Sequence, residues 1–125
     1  MAKILVGNSF PLSLIRRRVT IEPRCLDEFR SVAAKSEVCS FWGHANTVAV
    51  AQQFLGIDVA PDRERPVLTL SAQGFPIFAG TVFRQCWILS PNYRPGFRPA
   101  VGEEVASRDI LDWQVLLISW KDQHA

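Results

Sequence analysis

The sequence has few of the residues that hold small domains together through covalent bonds or metal ions. Its 125 residues include three cysteines and two histidines, and no two cysteines form a C-x-x-C pair. This scarcity excludes a disulfide framework and a zinc site of ordinary ligand spacing. We expect Cys25, Cys39 and Cys86 to be reduced thiols, with Cys39 and Cys86 packed in strands.

Long apolar runs are also missing. Runs such as residues 115–118 are far shorter than the ~20 apolar residues that a membrane helix needs. The first residues lack the apolar stretch and the small-residue cleavage site of a secretory signal. The pattern predicts a soluble, cytoplasmic protein with no membrane partner.

Lysine is scarce and arginine is abundant. The formal net charge is only +2, but eleven of the fourteen basic residues are arginines. Guanidinium groups bind phosphate through paired hydrogen bonds and stack on bases, so the bias is compatible with a phosphorylated ligand. A GC-rich coding sequence would produce the same bias, and composition alone does not decide between the two explanations.

Length and composition predict one folded domain, residues 1–125, because 48% of the residues are hydrophobic and 21% are charged. Short apolar or alternating stretches predict strands at residues 3–6, 18–22, 37–42, 67–71, 76–88 and 113–120. Helical spacing and capping residues predict helices at residues 27–35, at 46–56 between an Asn46 N-cap and Gly56, and at 103–111. We also predict one helical turn at residues 11–15 and a long proline-rich loop at residues 90–102. The expected fold is mixed α/β: a five- or six-stranded mixed sheet with about three helices packed on it.

The segment of residues 42–47 has the strongest chemical pattern. It joins a strand to the N-terminus of a helix, where free backbone N–H groups and the helix dipole favour an anion. Gly43 permits close approach of a ligand to the backbone, and Asn46 and Thr47 add short polar groups. His44 has a pKa suited to delivering a proton to the leaving oxygen of a phosphate ester. An ordinary helix cap, with His44 as a surface residue, fits the same spacing.

Two further groups are weaker candidates for contact with phosphate. Asn8 and Ser9 follow the first predicted strand, where most such loops are only connections. Arginines flank the predicted hairpin at positions 63, 65, 84, 94 and 98. They suit phosphate binding, and they equally suit a charged edge that discourages strand pairing. Tyr93 and Phe97 lie between two of these arginines and suit either stacking on a purine or plugging the loop.

Other catalytic patterns are missing from the sequence. It contains no G-x-S-x-G elbow, no P-loop and no G-x-G-x-x-G. Asp58, Asp62 and Glu64 are interspersed with arginines, which disfavours a Mg²⁺ site. We therefore expect no metal and no cofactor.

The order of these motifs resembles a known family: the small ring nucleases of viruses and mobile elements that antagonise type III CRISPR immunity by degrading cyclic tetra-adenylate. Its members open with a strand and an Asn-containing loop, matched here by residues 4–10. A Gly-His pair, a polar residue and a Thr precede a helix, matched by residues 43–47. A glycine closes that helix, and two arginines and a final aromatic-rich strand follow, matched by Gly56, Arg63, Arg84 and residues 112–120.

The resemblance implies a metal-independent phosphodiester cleavage in a cleft shared by two subunits. A ribose 2′-hydroxyl attacks the adjacent phosphate, and His44 is the general acid that protonates the departing 5′-oxygen. The implied ligand contacts come from Asn8, Ser9, Gly43, Asn46, Thr47, Arg63 and Arg84. The implied partners are a cyclic oligoadenylate and a second copy of the chain, in the host cytoplasm, with no sequence-specific nucleic acid. The ring size stays open, with cyclic tetra-adenylate favoured.

One position departs from the family. Members carry a catalytic Glu three residues after the arginine that matches Arg84, and this chain has Trp87 there. Another acid, such as Glu103 or Glu104, would then serve, or the protein would bind its ligand without cutting it. The alternative function is therefore a non-catalytic sponge for a cyclic nucleotide, or a nucleic-acid-binding protein, that uses the same cleft.

Overall fold

The structure is a computed structural model that describes residues 2–43, 47–56, 58–60, 66–98 and 105–122. The described strands are β1 (Ala2–Gly7), β2 (Val19–Arg24), β3 (Ser36–Ser40), β4 (Thr69–Leu70), β5 (Pro76–Phe78), β6 (Thr81–Val82), β7 (Gln85–Tyr93) and β8 (Ile110–Trp120). The described α-helices are α1 (Leu26–Ala34) and α2 (Val48–Leu55), and short 3₁₀ turns lie at Leu12–Leu14 and Ser107–Asp109.

Five strands form one mixed sheet in the order β2-β8-β7-β1-β3. β1 lies parallel to both of its neighbours, β3 and β7, whereas β8 is antiparallel to β7 and to β2. The chain returns from β1 to the parallel strand β3 through β2 and α1, since parallel strands need a long crossover connection. The predicted mixed sheet is confirmed.

Alternation along the strands builds a core on each face of this sheet. Val6, Trp87 and Leu89 face α1, where Phe29 and Ala33 are buried as the helical spacing predicts. The opposite face carries Leu5, Cys86, Ile88, Ile118 and Trp120. It packs against a second, three-stranded sheet in the order β4-β5-β6. Cys39 and Cys86 lie on strands, as predicted, and burial raises the pKa of the Cys86 thiol well above its usual value.

The second sheet arises from a turn that the sequence prediction missed. Residues 76–88 were expected to form one strand, but Ala79 and Gly80 both have positive φ, 50° and 78°. Two such residues between the paired Phe78 and Thr81 make a tight hairpin turn, so the chain reverses there. Ala79 gives no Asn-Gly or Asp-Gly signal, and this explains the missed turn.

The region before β8 also differs from the prediction. β7 runs on to Tyr93, so residues 90–93, expected in a loop, are paired with β8. In place of the predicted helix at 103–111, the described residues show the 3₁₀ turn and the start of β8. Residues 99–104 lie outside the described part. Two α-helices are therefore described where about three were predicted.

Helix α2 ends at the predicted glycine but begins later than the predicted N-cap. Gly56 ends it with φ 70°, the left-handed conformation that glycine adopts without strain. Thr47 is the N-cap residue, and the predicted cap Asn46 lies outside the described residues. None of the described helices is long and apolar enough to cross a membrane.

A Cβ on Gly7 would overlap three carbons of the Phe41 ring, which packs against Phe10 and Phe78, so a larger residue requires that ring to shift. Gly7→Ala should therefore lower the free energy of unfolding by about 1–3 kcal/mol. Gly43 is a matched control, since a Cβ there would meet only Asn8 Oδ1 at an ordinary 3.8 Å. Urea unfolding of both variants measures the difference, and equal losses would contradict this account of Gly7.

Candidate functional site

The carboxyl ends of β1 and β3 meet at one edge of the main sheet, beside the middle of β7 around Ile88 and Ser90. Val6 pairs with Ser40 and Gly7 pairs with Ile88. The residues that follow β1 and β3 therefore lie next to each other at this edge. We call this region, formed by residues 7–9, 41–43 and 90, the carboxyl edge. In sheets that contain parallel strands, ligands bind in the crevice outside these strand ends.

Asn8 is the centre of the carboxyl edge. Its side-chain Oδ1 accepts a hydrogen bond of 2.8 Å from the backbone N–H of Gly43. Its backbone carbonyl accepts one of 3.1 Å from the hydroxyl of Ser90. Because Oδ1 faces Gly43, the assignment of the amide is fixed, and its Nδ2 donors make no hydrogen bond to another described residue. Asn8 therefore offers two N–H donors at this edge.

A hydrogen bond between Trp42 and Thr47 joins the two ends of the segment that contains His44. The indole Nε1–H of Trp42 donates a hydrogen bond of 2.9 Å to Thr47 Oγ1. Both side chains are buried. The hydroxyl of Thr47 therefore stabilises the fold, because its hydrogen bond holds the start of α2 beside the end of β3. The positive end of the α2 dipole lies at the carboxyl edge as a result.

Of the remaining predicted site residues, Ser9 and Gly43 are exposed at the carboxyl edge beside Asn8. His44, Asn46 and Arg63 lie outside the described residues, although His44 directly follows Gly43 in the chain.

Arg84 does not reach the carboxyl edge. It precedes β7, and the pairing of Leu5 with Cys86 puts it level with Lys3 at the opposite end of the sheet. The five residues from Lys3 to Asn8 span about 16 Å along the strand. Arg84 and Asn8 therefore lie at opposite ends of the sheet and do not contact the same phosphate within one subunit. The reason is the direction of β7, which begins at the amino end of its parallel neighbour.

Trp87 is a core residue. Its side chain is 5% exposed and meets the ring of Phe29 edge to face at 5.4 Å. A glutamate at this position would point into the core beneath α1 and not into the crevice. The departure at position 87 therefore removes no group from the carboxyl edge.

Arg94 is the arginine that the structure brings toward the crevice end. β7 continues for five residues beyond Ile88, which pairs with the last residue of β1, and Arg94 follows directly. This extension packs near α2: Tyr93, Phe97 and Trp113 lie against the cluster that contains Val50, and the rings of Trp113 and Phe54 are 6.1 Å apart. Trp113 also contacts Trp42, with ring centroids 6.3 Å apart. The extension and α2 therefore form a wall beside the carboxyl edge.

A buried carboxylate positions Arg94. Its Nε donates to Asp109 Oδ1 at 3.2 Å, and the carboxyl side chain of Asp109 is only 7% exposed. The backbone N–H of Arg94 also donates to the carbonyl of Asp109 at 2.9 Å. The Arg94 side chain is 55% exposed, and its Nη groups make no hydrogen bond to another described residue. An arginine held through Nε in this way presents a preformed fork for a phosphate.

Aromatic rings extend the surface next to Arg94. The Phe97 ring lies 5.6 Å from the Arg94 guanidinium carbon and 5.4 Å from the ring of Tyr93. Burial raises the pKa of the Tyr93 phenol, so the group stays neutral and able to donate at physiological pH. Sequence reasoning had grouped Arg94 with the other arginines, and the length of β7 is what distinguishes it.

Comparison with known proteins supports the fold. No protein-family model matches the chain, and no curated protein matches it. Among solved structures, B116 of Sulfolobus turreted icosahedral virus is similar, with a TM-score of 0.60 and 14% sequence identity. The alignment covers 96% of this chain and 100% of B116. A virus protein therefore shares the fold over nearly its whole length.

Loss of the Thr47 hydroxyl should destabilise the protein. Thr47→Val keeps the volume but removes the buried hydrogen bond from the indole N–H of Trp42 to Oγ1, which costs about 1–3 kcal/mol in the free energy of unfolding. Thr47→Ser keeps the hydroxyl and is the matched control, expected to lose less. Chemical denaturation of both variants tests this, and a stable Thr47→Val protein would show that the hydrogen bond contributes little.

Proposed function

We propose that the protein is a metal-independent ring nuclease that opens a cyclic oligoadenylate, with cyclic tetra-adenylate as the favoured substrate. The observation that carries the proposal is the contact between Asn8 and Gly43 at the carboxyl edge, immediately before His44 in the chain. The resemblance links these same motifs to ring nucleases. The enzyme would act in the cell that makes this messenger, and this favours a cytoplasmic location.

The chemistry of the edge suits a phosphodiester. Asn8 Nδ2 and the N-terminus of α2 offer neutral donors and a positive dipole, and the Arg94 fork offers a charge. Tyr93 and Phe97 offer rings on which an adenine stacks. Anion donors and an aromatic surface at the same end of the sheet support the proposal.

The reaction needs only one positioned acid. The ribose 2′-oxygen forms a bond to phosphorus, its proton passes to solvent, and the bond between phosphorus and the 5′-oxygen breaks. His44 gives its proton to the departing 5′-oxygen, and the product carries a 2′,3′-cyclic phosphate. Hydrogen bonds from Asn8 stabilise the charge that builds on the phosphate oxygens at the cleaved bond, and Arg94, four residues beyond Ser90 along β7, holds a neighbouring phosphate of the ring.

A cyclic ligand suits a two-fold assembly. A ring of four equal nucleotides has rotational symmetry, and a homodimer grips it with two copies of one set of contacts. Each subunit then contributes one Asn8, one His44 and one Arg94, and each ring carries two equivalent cleavage sites.

His44→Ala should slow cleavage by roughly 10²- to 10⁴-fold, the usual contribution of a positioned general acid. Single-turnover cleavage of cyclic tri-, tetra- and hexa-adenylate, measured in EDTA, tests this and identifies the ring size. The affinity should stay within about tenfold, because one hydrogen bond of ~1.4 kcal/mol or less is lost.

The same assay separates cutting from sequestration. A wild type that binds a ring tightly but cuts it no faster than His44→Ala is a sponge, which contradicts the nuclease proposal. Activity that EDTA abolishes and Mg²⁺ restores would contradict the metal-free mechanism. Normal cutting by His44→Ala would move the acid to another residue, with Glu103 and Glu104 next to be replaced.

Arg94→Ala should weaken binding of the cyclic ligand by about tenfold or more, because a charge-assisted phosphate contact is removed. Arg84→Ala removes the same charge at the opposite end of the sheet and is the matched control, with affinity close to wild type. Calorimetry gives both affinities and should show one ring per two chains. A larger loss with Arg84→Ala than with Arg94→Ala would contradict the assignment of Arg94.

A further inference from the structure

β2 is an outer strand of the main sheet, and its outer side presents backbone groups that pair with no described residue. The direction of these groups follows from the ladder with β8. The carbonyl of Arg18 accepts from the Lys121 N–H at 2.9 Å, so Arg18 and every second residue after it face β8. Val19, Ile21 and Pro23 therefore turn their backbone groups outward. The N–H and carbonyl groups of Val19 and Ile21 make no hydrogen bond to another described residue.

The position of Pro23 agrees with this direction. Proline has no N–H and is found in outer strands with its nitrogen facing away from the neighbouring strand. At position 23 the nitrogen faces outward, so the ladder with β8 loses no hydrogen bond. A strand laid opposite Pro23 on the outer side would receive no hydrogen bond from that nitrogen. The part of the outer side that can pair fully is therefore residues 19–21.

This part of β2 lacks the protection that outer strands usually have. Ile21 is 51% exposed, and Pro23 beside it on the same face is also exposed. Natural sheets commonly cover an outer strand or place lysine on it. At the other outer strand, β3, the hydroxyl of Ser40 donates to the carbonyl of the buried Val59, so residues 58–60 lie against that strand. No described residue makes such a contact with the outer side of β2.

A second copy of β2 fits this outer side when the two strands run antiparallel about a two-fold axis at Thr20. Val19 of each chain then lies opposite Ile21 of the other, and the two residues of each pair exchange both of their backbone hydrogen bonds. The apolar side chains of these pairs meet on one face. On the other face, Thr20 lies opposite its own copy, and Glu22 lies opposite Arg18, so unlike charges face each other.

The neighbouring register is disfavoured. An axis at Ile21 would put Pro23 opposite Val19, and the Val19 carbonyl of each chain would then lack a donor. The same axis would put Arg24 opposite Arg18, and like charges directly opposite each other destabilise a strand pair. Hydrogen bonding and charge therefore select the axis at Thr20.

We propose that the outer side of β2 is an interface between two copies of this chain, which joins their five-stranded sheets into one continuous sheet. The occupant is a second copy because the backbone groups, apolar side chains and charges of residues 18–22 complement their own two-fold image. A contact of this kind uses the same surface on both chains and closes on itself, so it gives a dimer.

This interface is separate from the one proposed for the cyclic ligand. β8 runs against both β2 and β7, and β7 is parallel to β1, so β2 runs in the same direction as β1. A two-fold axis at Thr20 reverses these strands in the second copy. The two carboxyl edges then lie at opposite ends of the joined sheet, and one ring cannot be gripped across this contact. The interface therefore does not depend on the proposed cleavage.

Sedimentation equilibrium without any nucleotide tests the interface. The contact is small, and interfaces of this size are weak, so we expect a dissociation constant of roughly 10–100 µM. Ile21→Lys puts an ammonium group against the apolar pair and should weaken the dimer by about tenfold or more. Val82→Lys is the matched control, because Val82 is 53% exposed on β6, an outer strand of the second sheet. Equal unfolding midpoints show that both variants are folded.

Two results of this experiment would overturn the proposal. One is a monomeric wild type at all concentrations up to about 500 µM, well above the expected dissociation constant. The other is a dimer that Ile21→Lys weakens no more than Val82→Lys does, which would place the contact on another surface. Because no nucleotide is present, failure of the nuclease proposal leaves these readings unchanged.

Disulfide cross-linking tests the register. Thr20 and its copy form a non-hydrogen-bonded pair with α-carbons about 4.5 Å apart, within the range that a disulfide spans. Thr20→Cys should therefore form a covalent dimer under mild oxidation, seen on a non-reducing gel. Cys25 is exposed, so Cys25→Ser is the background for every variant.

Glu22→Cys is the matched control for the cross-link. In the proposed register its two copies are four residues apart along the strands, about 13 Å, which is too far for a disulfide. Equal cross-linking of Glu22→Cys and Thr20→Cys would show random collision and overturn the register. Faster cross-linking of Ile21→Cys than of Thr20→Cys would place the axis at Ile21, which also contradicts it.

Discussion

The parallel pairing of β1 with both β3 and β7 is the constraint on which the candidate site depends. Three strands that run in one direction point their carboxyl ends to the same end of the sheet. Asn8 can then accept a hydrogen bond from Gly43 and another from Ser90, although these residues are 35 and 82 positions away in the chain. Had β1 run against either neighbour, one of these partners would lie at the other end of the sheet. The packing of Phe41 over Gly7 tightens the same junction.

The sequence identified candidate residues of the carboxyl edge, but it did not predict which of them contact each other. Asn8 and Gly43 were both identified because a polar or small residue follows an apolar strand, which is a local signal. Their contact depends on strand order, and no local signal contains strand order. Helices α1 and α2 were predicted for a similar reason, since the spacing of Phe29 and Ala33 and the glycine at position 56 are local patterns.

Arg84 and Arg94 show where local reasoning fails. Both are arginines at an end of β7, and only the direction and length of that strand decide which one reaches the crevice end. The prediction ended the strand at Ile88 because residues 90–102 are rich in proline and glycine, which disfavour strands. In the structure, long pairing with β8 overrides these preferences and carries the chain to Tyr93. Local reasoning also fails at position 87. Side chains alternate between the two faces of β7, and this directs Trp87 into the core and not toward a ligand.

The two ends of the sheet carry different kinds of positive charge. At the crevice end, a buried carboxylate fixes the position of Arg94, so its fork suits one phosphate in one place. At the amino end, Arg84 stacks on Phe75 and pairs with Asp122 in the open, where each charge is screened within a Debye length of about 8 Å at physiological salt. The separation of about 16 Å along β1 is about two Debye lengths, so a ligand at one end leaves the field at the other nearly unchanged.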